Sequence, residues 1–223
     1  MQTHILASFM AFFISISMSG CSMFGGPAAE EPLFTVVTEQ DNFQIRNYET
    51  YTIAETVVDE TFHSATQTAF NRLFDYISGA NKNASKIEMT APVLVIPQGI
   101  AMISSTQSNQ SQPTQESGIM DQSQQGWTIA FVLPQGMNTS NSPKPLDTRI
   151  RLIDVPERQV ATLQFSGRLR TAPVELHRAK LAAWLDGQGM DHQGDWRVAG
   201  YNPPWTLPAL RRNEIQVTLI QSS

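Results

Sequence analysis

The segment Lys86-Ile87-Glu88-Met89-Thr90-Ala91-Pro92-Val93 continues into Leu94-Val95-Ile96, so one proline interrupts an extended apolar stretch. A proline removes one backbone donor from a strand, so Pro92 belongs at a sheet edge or a bulge. A second segment, Tyr201-Asn202-Pro203-Pro204-Trp205, again places proline before a large apolar residue. Each segment comes after a helical pattern, and together they predict two weakly similar halves.

Each half contains one stretch with the periodicity of a helix and several stretches with the pattern of strands. In residues 60–79 apolar side chains recur at helical spacing, namely Phe62, Ala65, Ala69, Leu73, Tyr76 and Ile77. A second helical pattern runs from near Thr171 to about Leu185. Alternating or β-rich stretches within 33–58, 86–96, 127–133, 149–165, 196–201 and 214–220 predict the strands.

The predicted order strand–strand–helix–strand–strand therefore occurs twice. Neither half could bury the apolar face of its sheet alone, because one helix over about four short strands leaves too much apolar surface in water. The pattern predicts one joint antiparallel sheet or open barrel that is flanked by two helices.

Composition limits the function. The chain has 223 residues, which is enough for one domain or two small ones, and 41% of them are hydrophobic. The formal net charge is -5, and the sequence contains no long run of Lys or Arg. We therefore expect no nucleic-acid partner.

The first residues have the pattern of a bacterial lipoprotein signal. The apolar run Ile5–Met18 is too short to span a bilayer comfortably and suits the core of a signal peptide. Met18-Ser19-Gly20-Cys21 resembles a lipobox, which predicts cleavage after Gly20 and acylation, including palmitate, of the sole cysteine, Cys21. The alternative is a hydrophobic N-terminus that is buried or merely cleaved.

The residue after the cysteine bears on location. Ser22 stands where an aspartate would argue for retention in the inner membrane, so the pattern resembles that of Gram-negative outer-membrane lipoproteins. We expect a bacterial cell-envelope protein, lipid-anchored at the periplasmic face of the outer membrane, because buried acyl chains hold a protein without a spanning helix.

The domain organisation follows from these patterns. Residues 1–20 are the predicted lipoprotein signal peptide, and the small, Pro/Gly-rich residues 21–32 are a flexible tether. Residues 33–222 form the predicted domain. Within it, residues 104–126 are rich in Gln and Ser and have almost nothing to bury, so they are predicted to be a disordered insertion.

Three parts of the chain resemble the SOUL (haem-binding-protein) family. Two are long signatures in the family's order, and the third is similar to its opening hairpin: Ser78–Asn81 with Lys86–Val93, Tyr201–Pro208 with Leu210–Ile215, and Phe43–Tyr48. The resemblance covers roughly residues 33–220. It implies an α+β fold, a twisted antiparallel eight-stranded sheet or distorted barrel with two helices, in two pseudo-symmetric βαβ-type repeats (regulatory-factor effector-binding-like). It also implies haem or other tetrapyrrole binding in some members.

A haem site needs a flat apolar slot, cations near two propionates and usually an axial ligand. The ligand-binding candidates are Lys86, Met89, Tyr201, Trp205, Arg211 and Arg212. Met89 offers a thioether, the two aromatic rings could stack, and arginine forks suit carboxylates. Each also has a structural alternative: Met89 as core filler, the rings as pins for the C-terminal segment, and the arginines paired with Glu214.

Histidine gives weaker signals. His177 borders the apolar face of the second helix and is a weak metal candidate, against the alternative of a packed, hydrogen-bonded histidine. His63 lies in the first turn of helix one and His192 in a polar loop. Family members have been proposed to ligate haem through a histidine in the opening hairpin, and none occurs here between Leu33 and Phe62. Axial histidine ligation is therefore not expected.

The sequence contains no nucleophile elbow, zinc-protease motif, phosphate loop or dinucleotide fingerprint, so we expect a non-enzyme. Three functional hypotheses follow. The first is a membrane-anchored protein that binds haem, another tetrapyrrole or a flat hydrophobic ligand. The alternative is an envelope interaction protein without a ligand, and the third is an enzyme that acts on tetrapyrroles.

Overall fold

A computed structural model describes residues 29–97 and 126–220. The predicted signal peptide, Cys21, most of the tether and the insertion up to residue 125 lie outside these ranges. Within them, none of the helices combines the length and the apolar character that crossing a bilayer requires.

The described ranges contain nine strands, two α-helices and one short 3₁₀ turn. The strands are β1 (Phe34–Gln40), β2 (Phe43–Tyr48), β3 (Tyr51–Val58), β4 (Val93–Pro97), β5 (Trp127–Val132), β6 (Ile150–Val155), β7 (Arg158–Phe165), β8 (His192–Gly200) and β9 (Asn213–Leu219). The helices are α1 (Phe62–Ile77) and α2 (Thr171–Gln188), and the 3₁₀ turn spans Pro208–Leu210.

All nine strands belong to one antiparallel sheet in the order β1-β2-β7-β9-β8-β4-β5-β3-β6, which curls into a half-barrel. The predicted α+β class and the two helices are confirmed. The predicted count of eight strands is one too low, because β1 pairs with β2 as an additional hairpin strand before the repeated unit.

The strand order is symmetric about the β4–β8 pair. β1 lies outside this symmetry. If β2, β3, β4 and β5 are exchanged with β6, β7, β8 and β9 respectively, the order of these eight strands is the same when read from the other end. In the same way, α1 packs on β3 and β5, and α2 packs on β7 and β9. The two proline segments are not at equivalent positions, however, since Pro92 precedes β4 and Pro203 follows β8. A repeat at the level of side chains stays a prediction.

Two corners determine the curl of the sheet. Only Glu49-Thr50 separates β2 from β3, and only Pro156-Glu157 separates β6 from β7. Phe43 pairs with Leu163 and Thr56 with Ile150, so the antiparallel register continues through both corners. Because β2 and β7 lie near one end of the strand order and β3 and β6 at the other, the sheet cannot remain flat.

The main core lies between the sheet and the helices. α1 buries the predicted apolar stripe, and α2 buries a narrower one; the members are Ala65, Ala69, Leu73, Tyr76 and Ile77 on α1, and Val174, Leu181 and Leu185 on α2. The face away from the helices has a smaller apolar cluster, formed by Ile53, Leu94, Ala130, Val132, Val155 and Ala199. The apolar faces of both halves are thus buried in one body.

Truncation of Leu73 to alanine tests this core. The side chain is fully buried on α1, so L73A should lower the free energy of unfolding by about 2–5 kcal/mol through lost burial and a cavity. The matched control is L176A on α2, where the side chain is 54% exposed and the change should stay within about 0.5 kcal/mol. Urea unfolding measures both variants, and equal losses would contradict this description of the core.

Candidate functional site

The centre of the face away from the helices carries a buried ion pair. Glu214 on β9 is completely buried, and Arg46 on β2 is 3% exposed. The arginine donates two parallel hydrogen bonds, from Nη1 to Oε2 at 2.9 Å and from Nη2 to Oε1 at 3.0 Å. This bidentate arrangement is the strongest form of an arginine–carboxylate contact.

Further donors surround the same carboxylate. The Tyr201 hydroxyl donates to Oε2 at 2.8 Å, the Gln216 amide donates to Oε2 at 2.9 Å, and Arg212 Nη2 donates to Oε1 at 3.0 Å. Arg212 also lies over the Tyr201 ring, 3.7 Å from its centroid, and donates two bonds to Glu31. We call Arg46, Arg212, Glu31, Glu214 and Tyr201 the polar cluster; its two cations balance its two carboxylates.

The cluster holds its carboxylate in the ionised form. Burial by itself would raise the pKa of Glu214, but Arg46 and Arg212 outweigh burial and lower that pKa below its usual value. The pKa of Tyr201 is raised by burial and then by the charge of Glu214, so the phenol keeps its proton and remains a donor. These shifts describe a satisfied structural network rather than an acid–base pair that is ready for proton transfer.

The N-terminal strap, Glu30–Leu33, crosses the edge of this face. The Glu30 carbonyl accepts a bond from Ala91 N at 2.8 Å, and the Leu33 carbonyl accepts one from Glu49 N at 3.0 Å. Glu30, inside the segment predicted as tether, is therefore bonded to the domain. Under the strap lies a cavity of about 180 Å³, which is smaller than the roughly 300–1,000 Å³ of ordinary small-molecule sites.

A larger concavity lies between α1 and the chain that leads into β6. We call it the shelf; its volume is about 380 Å³, and it is lined by Thr68, Arg72, Asp75, Tyr76, Ala80, Leu146, Asp147, Arg149 and Ile150. Leu146, which is 62% exposed, supplies apolar surface, Tyr76 and Ile150 lie buried at the base of the shelf, and Arg72 and Arg149 supply cations. The shelf thus has the size and the chemistry of a site for an apolar ligand with acidic groups.

Asp147 holds both arginines of the shelf. Its carboxylate lies 2.7 Å from Arg149 Nη2 and 3.6 Å from Arg72 Nε. Hydrogen bonding from Arg149 lowers the pKa of Asp147 to about 2. Arg149 is 66% exposed, so its guanidinium can exchange this partner for an incoming carboxylate at little cost in buried contacts.

The six ligand-binding candidates from the sequence lie in different parts of the structure and make different contacts. Tyr201 and Arg212 meet in the polar cluster, where Arg212 pairs with Glu214. Arg211 donates to the Thr206 carbonyl at 2.9 Å and to the Pro204 carbonyl. Lys86, Met89 and Trp205 are exposed, and none of the six candidates lines the shelf or the strap cavity.

Sequence reasoning missed Arg46 and the residues of the shelf. Arg46 alternates with apolar neighbours along β2, as an arginine on a solvent-facing side of a strand does, and its partner lies 168 positions away. Arg149 and Asp147 lie in a loop whose composition gave no signal of a site. A pairing across β2, β7 and β9 becomes visible only with the strand order.

His177 is a packed histidine in this structure. Its Nδ1 lies 2.6 Å from the Pro173 carbonyl, and its ring stacks on Phe165 with centroids 4.3 Å apart. His63 is exposed on the first turn of α1. In the part of the chain that the structure describes, no group of three or more His, Cys, Asp or Glu side chains could hold a metal ion.

Comparison with known proteins identifies the family. The family model described as "SOUL heme-binding protein" matches residues 29–218, which is most of the chain. The chain belongs to the SOUL heme-binding protein family. Heme-binding protein 2 of Homo sapiens is 31% identical over 185 residues, which cover 82% of this chain and 79% of that protein. Heme-binding protein 1 of Xenopus tropicalis is 27% identical over 197 residues, or 87% and 93% of the two chains.

Solved structures support the fold of this SOUL protein. The EcmrR C-terminal domain superposes with a TM-score of 0.55 at 11% identity, covering 85% of this chain and 99% of that domain. An uncharacterized conserved protein from Listeria innocua gives a TM-score of 0.52 at 10% identity, covering 80% and 92% of the two chains. At these identities the likeness concerns the fold alone.

A double-mutant cycle tests the buried ion pair. R46M and E214L should each lower the free energy of unfolding by about 3–5 kcal/mol, because each leaves a buried charge without its bidentate partner. The double variant should lose much less than the sum.

The control cycle uses the partly exposed pair Arg178–Glu175 on α2, joined at 2.9 Å, where coupling should stay below about 1 kcal/mol. Denaturant unfolding at pH 7 measures both cycles. Coupling in the Arg46–Glu214 cycle no larger than in the control would show that the polar cluster contributes nothing specific.

Proposed function

We propose that this chain binds haem or another flat tetrapyrrole on the shelf, without an axial histidine. The observation that carries the proposal is membership of the SOUL family across residues 29–218. Relatives named heme-binding proteins also align with this chain over most of their length. We propose binding rather than catalysis, and turnover of haem by the purified protein would contradict that.

Two features favour the shelf over the face of the polar cluster. The polar cluster fills its own face with paired side chains, and the cavity beside it is about half the volume of the shelf. The shelf is open, so a macrocycle can lie against the exposed Leu146 side chain while its edge remains in water. Arg149 and Arg72 lie where propionates could replace Asp147 as partners, since guanidinium forks match carboxylates.

Haemin titration of R149A tests the site. Loss of a charge-assisted hydrogen bond of about 1.5–3 kcal/mol should raise the Kd for haemin roughly 10- to 100-fold. The matched control is R151A, which removes an equally exposed arginine from β6 two residues along the chain. Absorption spectroscopy measures the Kd. Equal affinities for R149A and R151A would remove the shelf as the site, and no saturation by wild type at micromolar haemin would favour a ligand-free interaction protein.

The proposal includes a lipid anchor in the bacterial cell envelope, at the periplasmic face of the outer membrane. The apolar run, the lipobox-like Met18–Cys21 and the following Ser22 support it. Glu30, whose carbonyl is bonded to Ala91 of the domain, lies nine positions after Cys21. An extended chain of that length reaches about 30 Å, so the anchor would keep the domain close to the bilayer.

Mass spectrometry of the full chain expressed in a Gram-negative host tests the anchor. The mature protein should begin at Cys21 and carry the added mass of its acyl chains, including palmitate. C21A removes the acceptor, so this variant should retain residues 1–20 and lack the acyl mass. A wild-type chain without acyl mass would contradict the anchor and would leave haemin binding unaffected.

A further inference from the structure

One loop displays large apolar side chains to solvent. The apolar loop, Asn202–Leu210, connects β8 to β9 and carries Trp205, Leu207 and Leu210, whose exposed fractions are 84%, 67% and 63%. Scattered single apolar residues on a surface are ordinary, but three within six residues form a patch. A patch of this kind indicates a partner surface.

Hydrogen bonds hold the apolar loop in shape. They run from Thr206 N to Pro203 O at 3.0 Å, from Leu210 N to Leu207 O at 2.9 Å, from Arg211 Nε to Thr206 O at 2.9 Å, and from Gly167 N to Pro208 O at 2.8 Å. The last bond ties the tip to the neighbouring loop. These bonds fix the backbone of the apolar loop, and its three large apolar side chains lie exposed on the outer surface.

The neighbouring loop, residues 166–170, is basic. Arg168 and Arg170 are exposed, while Leu169 packs beside Gly200 at the base of the apolar loop. Neither residues 166–170 nor residues 201–212 contain an aspartate or glutamate, although the whole chain has a net charge of -5. A positive rim thus borders the apolar patch on an otherwise acidic protein.

We propose that the apolar loop and residues 166–170 form a surface that docks into an anionic lipid bilayer. Tryptophan and leucine suit the boundary between headgroups and acyl chains, and arginines at the rim attract anionic headgroups. Trp205 lines neither the shelf nor the strap cavity, so its exposure does not belong to the tetrapyrrole site.

The position of the strap supports the same occupant. Arg212, the second residue after the apolar loop, is bound through two hydrogen bonds to Glu31 of the strap. The chain from Cys21 therefore joins the domain beside this surface, and an acyl anchor would hold the apolar loop within reach of the bilayer. This inference rests on the lipid anchor of the proposed function and is independent of haem binding.

Fluorescence quenching in vesicles tests the docking surface. The full lipoprotein is reconstituted in phosphatidylcholine vesicles with 30% phosphatidylglycerol. One set of vesicles has brominated acyl chains, which quench tryptophan emission, and the other does not. Flotation then isolates the bound protein. Wild-type tryptophan emission should fall in brominated vesicles, and W205F should lose most of that fall. W184F is the matched control. Its emission should fall as that of wild type does, because Trp184 lies on α2 and stacks on Phe43 of the sheet rather than facing the bilayer. R168Q/R170Q should weaken quenching in anionic vesicles and leave it unchanged in pure phosphatidylcholine.

The results separate the docking surface, the lipid anchor and the shelf from one another. A chain that floats but shows equal quenching in wild type and W205F, or none in either, overturns the docking surface and leaves the anchor in place. A chain that does not float contradicts the anchor and the docking surface together. Haemin titration of the same W205F sample reports on the shelf separately, and its Kd should equal that of wild type.

Discussion

The continuous register through the two corners is the constraint on which the rest of the structure depends. Glu49-Thr50 and Pro156-Glu157 each leave too little chain for a loop, so β2 runs on into β3 and β6 into β7. These strands occupy opposite ends of the strand order, and joining them curls the sheet. The curl and the N-terminal strap bury a face that carries Arg46, Glu214 and Tyr201 without any helix above it.

Burial on that face explains why the polar cluster is so completely paired. An isolated buried carboxylate would take up a proton or destabilise the fold, whereas Glu214 accepts bonds from two arginines, a phenol and an amide. The same pairing leaves little free capacity for a ligand. The candidate tetrapyrrole site therefore lies on the helix side of the molecule, where Asp147 holds Arg149 through an exchangeable surface contact.

Local patterns predicted much of the fold and little of the site. The stripe from Ala65 to Ile77 faces the core because helical periodicity depends only on neighbours three and four positions away. The strand segments were similarly readable, and the count of eight strands came from the family resemblance rather than from these patterns. Arg212 and Glu214 lie two positions apart, and their pairing was an open alternative. Arg46 had no local signal, because its partner Glu214 lies 168 positions away, and Arg149 had none, because α1 forms the other side of the shelf.

The amino-acid sequence by itself determined the family, the α+β class and the two helices, because each depends on short motifs or on periodicity within one element; the lipoprotein-like leader stays a prediction. Only the tertiary structure decided that Arg46 meets Glu214, that the strap reaches Arg212, and that the loop of Trp205 is bonded to Gly167 while the Trp205 side chain lies in solvent. Those contacts join residues that are far apart in the chain. Their geometry follows from strand order and curl, which no local pattern encodes.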